Sequence, residues 1–201
     1  MSFPESIAIA SRNEGKLREI AQICADWPVR WITIHDRPDD WPHVEETGSS
    51  YQENAALKAR AVAAFTDSAA IADDSGIEVD ALGGAPGPRS ARYSGEDASE
   101  ERNLAALLSA LKGVPAGGRT ARYRCVVALA LPGGEELSAE GVCEGMLTTK
   151  PRGAGGFGYD PIFVPAGWDV TMAELPPEEK DRISHRGRAF RAMREELLAA
   201  P

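Results

Sequence analysis

The sequence has few cysteines and no long hydrophobic run. Both features argue against particular classes of protein, those held by disulfides and those that span a membrane. Its three cysteines are an odd number without metal-ligand spacing, which predicts a reducing compartment and no disulfide framework. Nowhere do roughly 18 apolar residues follow one another, so no membrane span is expected. The first residues also lack the pattern of a signal peptide. We therefore expect a cytoplasmic protein without a membrane partner.

Positive charge is scarce as well. The chain has 22 Lys and Arg against 31 Asp and Glu, which gives a formal net charge of -9. Such a field repels polyanions, so nucleic acid is not an expected partner, whereas a small phosphorylated ligand needs only a few converging cations and a metal. The 201 residues contain 43% hydrophobic residues and no evident linker, which predicts a single domain over residues 1–201.

Short apolar segments alternate with helical patterns along the chain. Strands are predicted at residues 7–10, 29–34, 69–72, 120–131 and 136–147, the last two as a hairpin. Helices are predicted from Lys16, from a Ser50 cap to about Thr66, from a Ser99 cap, and over residues 184–199. This interleaving predicts an α/β fold with a mixed sheet.

The turn after the first predicted strand reads Ser11-Arg12-Asn13-Glu14-Gly15-Lys16. Such a turn can aim backbone N–H groups and a helix N-terminus at an anion, and Lys16 adds a full positive charge. The spacing differs from the P-loop pattern GxxxxGK[ST]. An ordinary strand-to-helix turn is therefore the alternative to phosphate binding.

Carboxylates are concentrated in Glu45-Glu46 and in Asp73-Asp74-Ser75-Gly76, which is predicted to form an acidic turn after a buried strand. Adjacent carboxylates repel one another, and a hard cation such as Mg²⁺ relieves that repulsion. Successive strand residues point to opposite faces, so Asp73 and Asp74 are expected to have different roles. The alternative is a solvated turn with an aspartate cap.

The segment 155–163, GGFGYDPIF, combines three glycines, aromatic rings and one carboxylate. Phe157 and Tyr159 could stack on a flat ring, while Asp160 could accept hydrogen bonds from ring N–H groups. The glycines let a ligand approach the main chain. A tight turn with aromatic core anchors is the alternative.

Cations gather at the predicted start of the last helix, at Lys180, His185 and Arg186. Positive side chains are unfavourable beside a helix N-terminus, and an anionic or carbonyl-bearing ligand would offset that cost. A solvated basic cluster is the alternative. Taken together, the four segments contain the parts of a nucleotide-hydrolysing site.

Five blocks also resemble the inosine triphosphate pyrophosphatase family, whose members hydrolyse ITP, dITP and XTP to the monophosphate and pyrophosphate. The blocks are IAIASRNEGKLREI, EETGSSYQENAALKA, ADDSGIEVDALGGAPGPRSARYSGE, GFGYDPIF and ISHRGRA. They occur in the family's order and span almost the whole chain. The resemblance implies a long mixed β-sheet with flanking helices, two lobes around a central cleft, a Mg²⁺ cofactor, a nucleotide substrate and a homodimer.

The resemblance also implies roles for individual residues. Asp74 would be the general base and a metal contact, and the Glu45-Glu46 pair would supply another carboxylate, with Glu46 favoured over Glu45. The residues implied for the triphosphate are Ser11, Arg12, Asn13, Glu14, Gly15, Lys16, Lys58 and Ser75. Those implied for the base are Phe157, Gly158, Tyr159, Asp160, Lys180, His185 and Arg186.

Two other functions fit parts of the pattern. A nucleotide-sensing module would bind without hydrolysis, although it has little reason to keep two aspartates beside a triphosphate. A pyrophosphatase for ordinary or modified pyrimidine nucleotides would use the same phosphate chemistry. The base specificity therefore has to be decided by experiment.

Overall fold

A mixed β-sheet is the central feature of the computed structural model, which describes residues 3–95 and 97–199. Its strands are β1 (Ser6–Ile9), β2 (Arg30–Ile32), β3 (Ala69–Val79), β4 (Thr120–Ala130), β5 (Glu136–Leu147) and β6 (Phe163–Pro165). The six strands have the order β2-β1-β3-β4-β5-β6. Because β1 is parallel to both β2 and β3 while β5 and β6 are antiparallel, the predicted mixed sheet is confirmed.

Helices flank the sheet, as predicted. They are α1 (Glu14–Ile23), α2 (Tyr51–Thr66), α3 (Glu100–Ala110), α4 (Pro177–Ile183) and α5 (His185–Ala199). The predicted serine caps are confirmed, because the hydroxyls of Ser50 and Ser99 accept hydrogen bonds from backbone N–H groups three residues later, at 3.2 and 3.3 Å. Within the described residues, no helix combines the length and apolar character needed to cross a bilayer.

The chain divides into two compact units. The first comprises the chain up to Asp74, Cys125–Gly141 and the chain from Arg186 onward, and the second comprises Ser75–Arg124 and Val142–His185. The strands β3, β4 and β5 contribute residues to both units. Residues that are far apart in sequence are therefore neighbours within each unit.

The first unit has two apolar clusters, because alternate residues of a strand point to opposite faces of a sheet. One cluster joins strand isoleucines to α1 and α5 through Ile7, Ile9, Ile71, Leu17, Ile20, Phe190 and Met193. The other joins strand alanines to α2 through Ala8, Ala70, Ala72, Ala55, Ala59 and Ala63. Small side chains on both partners allow α2 to lie close to the strands.

The second unit has its own core, built around α3, the second half of β3 and the first half of β4. Ile77, Leu107 and Phe163 are completely buried in it. Arg119 is also buried, and its guanidinium donates to the carbonyl oxygens of Leu111 at 2.9 Å and Val114 at 3.0 Å. The guanidinium therefore joins the C-cap residue of α3, Leu111, to the segment that follows the helix.

The structure corrects the predictions for β3 and for the start of the last helix. Asp73-Asp74-Ser75-Gly76 is not a turn, because β3 continues through it to Val79 and both aspartates are buried. The last helix begins at His185, and Lys180 belongs instead to α4, a short helix that the sequence analysis did not predict.

Candidate active site

The turn between β1 and α1 is held by its own side chains. Asn13 caps α1, because its Oδ1 accepts a hydrogen bond from the backbone N–H of Lys16 at 3.0 Å. Ser11 Oγ accepts from the N–H of Asn13 at 3.2 Å. α1 therefore begins at Glu14 rather than at Lys16, and Gly15 and Lys16 lie in its first turn.

Two other residues of this turn contact the segment that follows β2. Arg12 donates to the carbonyl oxygen of Trp41 at 2.9 Å, and Trp41 is itself buried. Glu14 lies 3.4 Å from the imidazole of His35, where both side chains are largely exposed. Arg12 therefore connects the turn to the segment that leads to Glu45 and Glu46.

Asp73 is the centre of a buried charge cluster in the first unit. Its Oδ2 lies 3.0 Å from Lys16 Nζ and accepts from two nitrogens of Arg186, at 3.0 and 3.2 Å. A third nitrogen of Arg186 contacts Glu19. Burial alone would raise the pKa of Asp73, but the charges of Lys16 and Arg186 hold that pKa well below its usual range. Asp73 is therefore an anchor for two cations.

Asp74, the next residue, lies in a different group of side chains. Its Oδ1 is 3.4 Å from Lys58 Nζ, and its Oδ2 accepts from the amide of Asn54 at 3.1 Å. Glu46 approaches the same ammonium group at 2.8 Å, whereas Glu45 is exposed. Burial raises the pKa of Asp74 despite the nearby lysine charges, which suits a general base.

The donors around Lys58 are suited to a hard cation. Glu46 and Asp74 both place a carboxylate oxygen within reach of one ammonium group, so their charges converge on one point. Among residues 3–95 and 97–199, no group of three or more His, Cys, Asp and Glu side chains is placed to hold a metal ion. Two carboxylates with the remaining positions left to phosphate and water is a usual arrangement for Mg²⁺.

The glycine-rich loop of the second unit is organised around Asp160. Its Oδ2 accepts from Lys180 Nζ at 2.6 Å and from the backbone N–H of Phe157 at 3.0 Å. The Lys180 ammonium also lies 4.9 Å from the centre of the Phe157 ring, a cation–π contact. Glu100, at the start of α3, accepts from the N–H of Gly158 at 3.0 Å. These contacts hold the half-buried Phe157 ring in a defined position.

The other predicted base-binding residues have contacts of their own. Tyr159 is buried and donates its hydroxyl hydrogen to the carbonyl oxygen of Ser90 at 2.8 Å, so it anchors the loop to the core. The ring of His185 stacks on Tyr123, with centroids 4.5 Å apart and planes 8° apart. Ser75 lies half-buried within β3.

The predicted base-binding residue Arg186 differs from the rest, because it lies in the first unit and is 1% exposed. Its guanidinium faces the carboxylates of Asp73 and Glu19. Its contact with a base stays a prediction.

The chain is similar to known proteins over nearly its whole length. The sequence model of the Ham1 family matches residues 7–196. The chain belongs to the Ham1 family. A dITP/XTP pyrophosphatase of Geobacter sulfurreducens is 50% identical to it over 191 residues, covering 95% of this chain and 96% of the relative. The predicted resemblance is confirmed by this similarity.

Two further similarities extend over nearly the whole chain. A dITP/XTP pyrophosphatase of Geobacillus kaustophilus is 50% identical over 192 residues, covering 96% of this chain and 94% of the relative. The solved structure of a HAM1 protein from Coxiella burnetii has a TM-score of 0.85 and 40% identity, covering 97% of this chain and 99% of that one. The fold of this Ham1-family chain is therefore the fold of its relatives.

The structure adds residues that sequence reasoning missed. Asn54 lies four residues before Lys58 on α2, and Glu19 lies three residues after Lys16 on α1, spacings that place each pair on one helix face. That periodicity was an available signal. Glu100 has no such signal, because only the fold brings it to the loop.

Proposed function

We propose that this protein hydrolyses ITP, dITP and XTP to the monophosphate and pyrophosphate and so removes them from the nucleotide pool. The observation that carries the proposal is the convergence of Glu46 and Asp74 on Lys58, in the same unit as the Lys16 turn. Curated relatives that are 50% identical over nearly their whole length are named dITP/XTP pyrophosphatases, which supports the same activity here.

In the proposed reaction, Asp74 accepts a proton from the attacking water. The water oxygen bonds to the α-phosphorus, the bond from that phosphorus to the bridging oxygen breaks, and pyrophosphate leaves. Lys16 and Lys58 stabilise the charge that develops on the leaving group. Glu46 and Asp74 would hold Mg²⁺, which supplies charge neutralisation for the triphosphate when it is bound.

Selectivity has to come from the base, since ITP and ATP share their ribose and phosphates. Hypoxanthine and xanthine present an oxo acceptor at position 6, where adenine presents an amino donor. A donor from His185, Arg186 or the backbone of the loop would match the oxo group. The same donor would face the amino group of adenine, which is also a donor. An unsatisfied buried group costs about 1–3 kcal/mol, which corresponds to roughly ten- to a hundredfold in rate.

The test is pyrophosphate release from ITP, XTP, dITP, ATP, GTP, dUTP and dTTP, each with Mg²⁺ and with excess chelator. We expect metal-dependent release with the highest kcat/KM for the first three nucleotides. Preferential release from dUTP or dTTP would favour a pyrimidine pyrophosphatase. Calorimetric binding of ITP without release would favour a sensing module.

We also propose that the protein works in the cytoplasm as a homodimer. The cytoplasm is supported by its three free cysteines and by a substrate drawn from the nucleotide pool. The homodimer is supported by the family resemblance and is tested below.

A further inference from the structure

Lys58 is shared between the two carboxylates that would hold the metal. Its Nζ lies 2.8 Å from Glu46 Oε1 and 3.4 Å from Asp74 Oδ1. Only 13% of the Lys58 side chain and 6% of the Asp74 side chain are exposed. The ammonium group therefore sits where a cation would have to bind to reach both acids.

Charge balance explains why Lys58 occupies this position. Two partly buried carboxylates repel each other unless a positive charge lies between them. Lys58 brings that positive charge within 2.8 Å of Glu46 and 3.4 Å of Asp74. The ammonium group therefore partly neutralises the two acids without a metal.

The carboxylates have two competing cations, and only one can contact the same oxygens at a time. A divalent ion that arrives alone has to displace the ammonium group from both of its carboxylate partners. A triphosphate offers that ammonium group new acceptor oxygens, and the flexible four-carbon stem of lysine allows it to move. Metal binding should therefore depend on the triphosphate.

We propose that Lys58 is the resident counter-ion of the Glu46–Asp74 pair and transfers to the triphosphate when the substrate binds, so that metal and nucleotide enter together. This inference rests on the proposed function and adds a role for Lys58 before catalysis. It predicts that the substrate-free enzyme binds divalent metal weakly because Lys58 already satisfies the acids.

Lys16 provides a matched control, since it has the same charge but a different partner. It pairs with Asp73, which Arg186 also neutralises, and its contact with Asp73 is 3.0 Å. Asp73 and Asp74 are successive residues of β3 and point to opposite faces. Removing Lys16 therefore subtracts one charge from the unit without freeing the Glu46–Asp74 pair.

The first experiment is a calorimetric titration with Mn²⁺ alone, without nucleotide, of the unaltered protein, Lys58→Met and Lys16→Met. We expect Lys58→Met to bind Mn²⁺ at least about tenfold more tightly than the unaltered protein, a difference of ~1.4 kcal/mol. Lys16→Met should change the affinity much less. An unchanged affinity in Lys58→Met, or an equal gain in both variants, would overturn the proposal.

A second measurement uses the unaltered protein, so it does not depend on the folding of a variant. The protein is titrated with Mn²⁺ alone, with inorganic tripolyphosphate alone, and with their preformed complex. We expect the complex to bind at least about tenfold more tightly than either component. Equal affinity for the complex and for either component alone would also overturn the proposal. Neither experiment involves turnover, so their failure is distinct from failure of the pyrophosphate-release assay.

Discussion

Two adjacent aspartates of β3 have the same charge but opposite surroundings. Asp73 faces Lys16 and Arg186, and these cations hold its pKa low. Asp74 faces Lys58 and Asn54, and burial raises its pKa. A carboxylate with a lowered pKa is a poor proton acceptor, whereas one with a raised pKa is a better one. The difference supports the proposal that Asp74 is the base, with Asp73 as an anchor for the two cations.

Replacing Asp74 by Asn tests that assignment. We expect kcat for ITP to fall by at least about a hundredfold, because the amide cannot accept the proton of the attacking water. Binding of a non-hydrolysable ITP analogue should remain largely intact, since the amide keeps the shape of the side chain. Pyrophosphate release gives kcat, and calorimetry gives the affinity.

The neighbouring change Asp73→Asn is the control. It leaves the buried Arg186 and the partly buried Lys16 without their shared carboxylate, so we expect the free energy of unfolding to fall by about 3 kcal/mol. Asp74→Asn should be much less destabilising in the same urea titration. Near-normal turnover in Asp74→Asn would contradict the base role, and equal stability losses would contradict the division between the two aspartates.

At the level of elements, local patterns predicted more than long-range ones. The caps at Ser50 and Ser99 and the strand pair 120–131 and 136–147 were predictable, because capping and strand alternation depend on nearby residues. The path of β3 through Asp73 and Asp74 was not predictable in this way. Charged residues enter a buried strand only with partners, and their partners lie on α1, α2 and α5.

The glycine-rich loop also has a tighter internal structure than its sequence predicts. Gly156 and Gly158 both have positive φ angles, 70° and 63°. A Cβ atom on Gly156 would overlap the Oδ2 of Asp160, which is the atom that binds Lys180 and the N–H of Phe157. A Cβ atom on Gly158 would meet nothing within 4 Å. Gly156 therefore provides space for the Asp160 contacts.

This difference predicts unequal effects of the same substitution. Gly158→Ala should cost about 1–2 kcal/mol of unfolding free energy, from the left-handed backbone alone. Gly156→Ala should lower the unfolding free energy by at least about 1 kcal/mol more than Gly158→Ala does, because it separates Asp160 from its partners. We also expect Gly156→Ala to raise KM for ITP. Urea unfolding and steady-state kinetics measure both effects, and equal stability losses in the two variants would refute the account.

At the scale of the whole molecule, the two compact units are not separated by linkers. The chain passes between them inside β3 at Asp74–Ser75, inside β4 at Arg124–Cys125, inside β5 at Gly141–Val142 and at the start of α5 at His185–Arg186. The usual signals of a boundary are Pro, Gly and polar residues in exposed segments, whereas the residues at these crossings lie within strands or a helix and are not exposed. The sequence therefore does not predict the division into two units. The single domain over residues 1–201 stays a prediction.

The predicted homodimer can be tested through the net charge of the chain. Two copies that each carry a charge of -9 repel each other, and salt screens that repulsion. We expect light scattering during size-exclusion chromatography in about 0.15 M salt to give twice the 21.4 kDa mass of the chain. Dilution at low salt should favour dissociation. A mass of 21.4 kDa at the concentrations of the kinetic assays would contradict the dimer. If high salt favoured dissociation instead, charge repulsion would not be the force that opposes dimerisation.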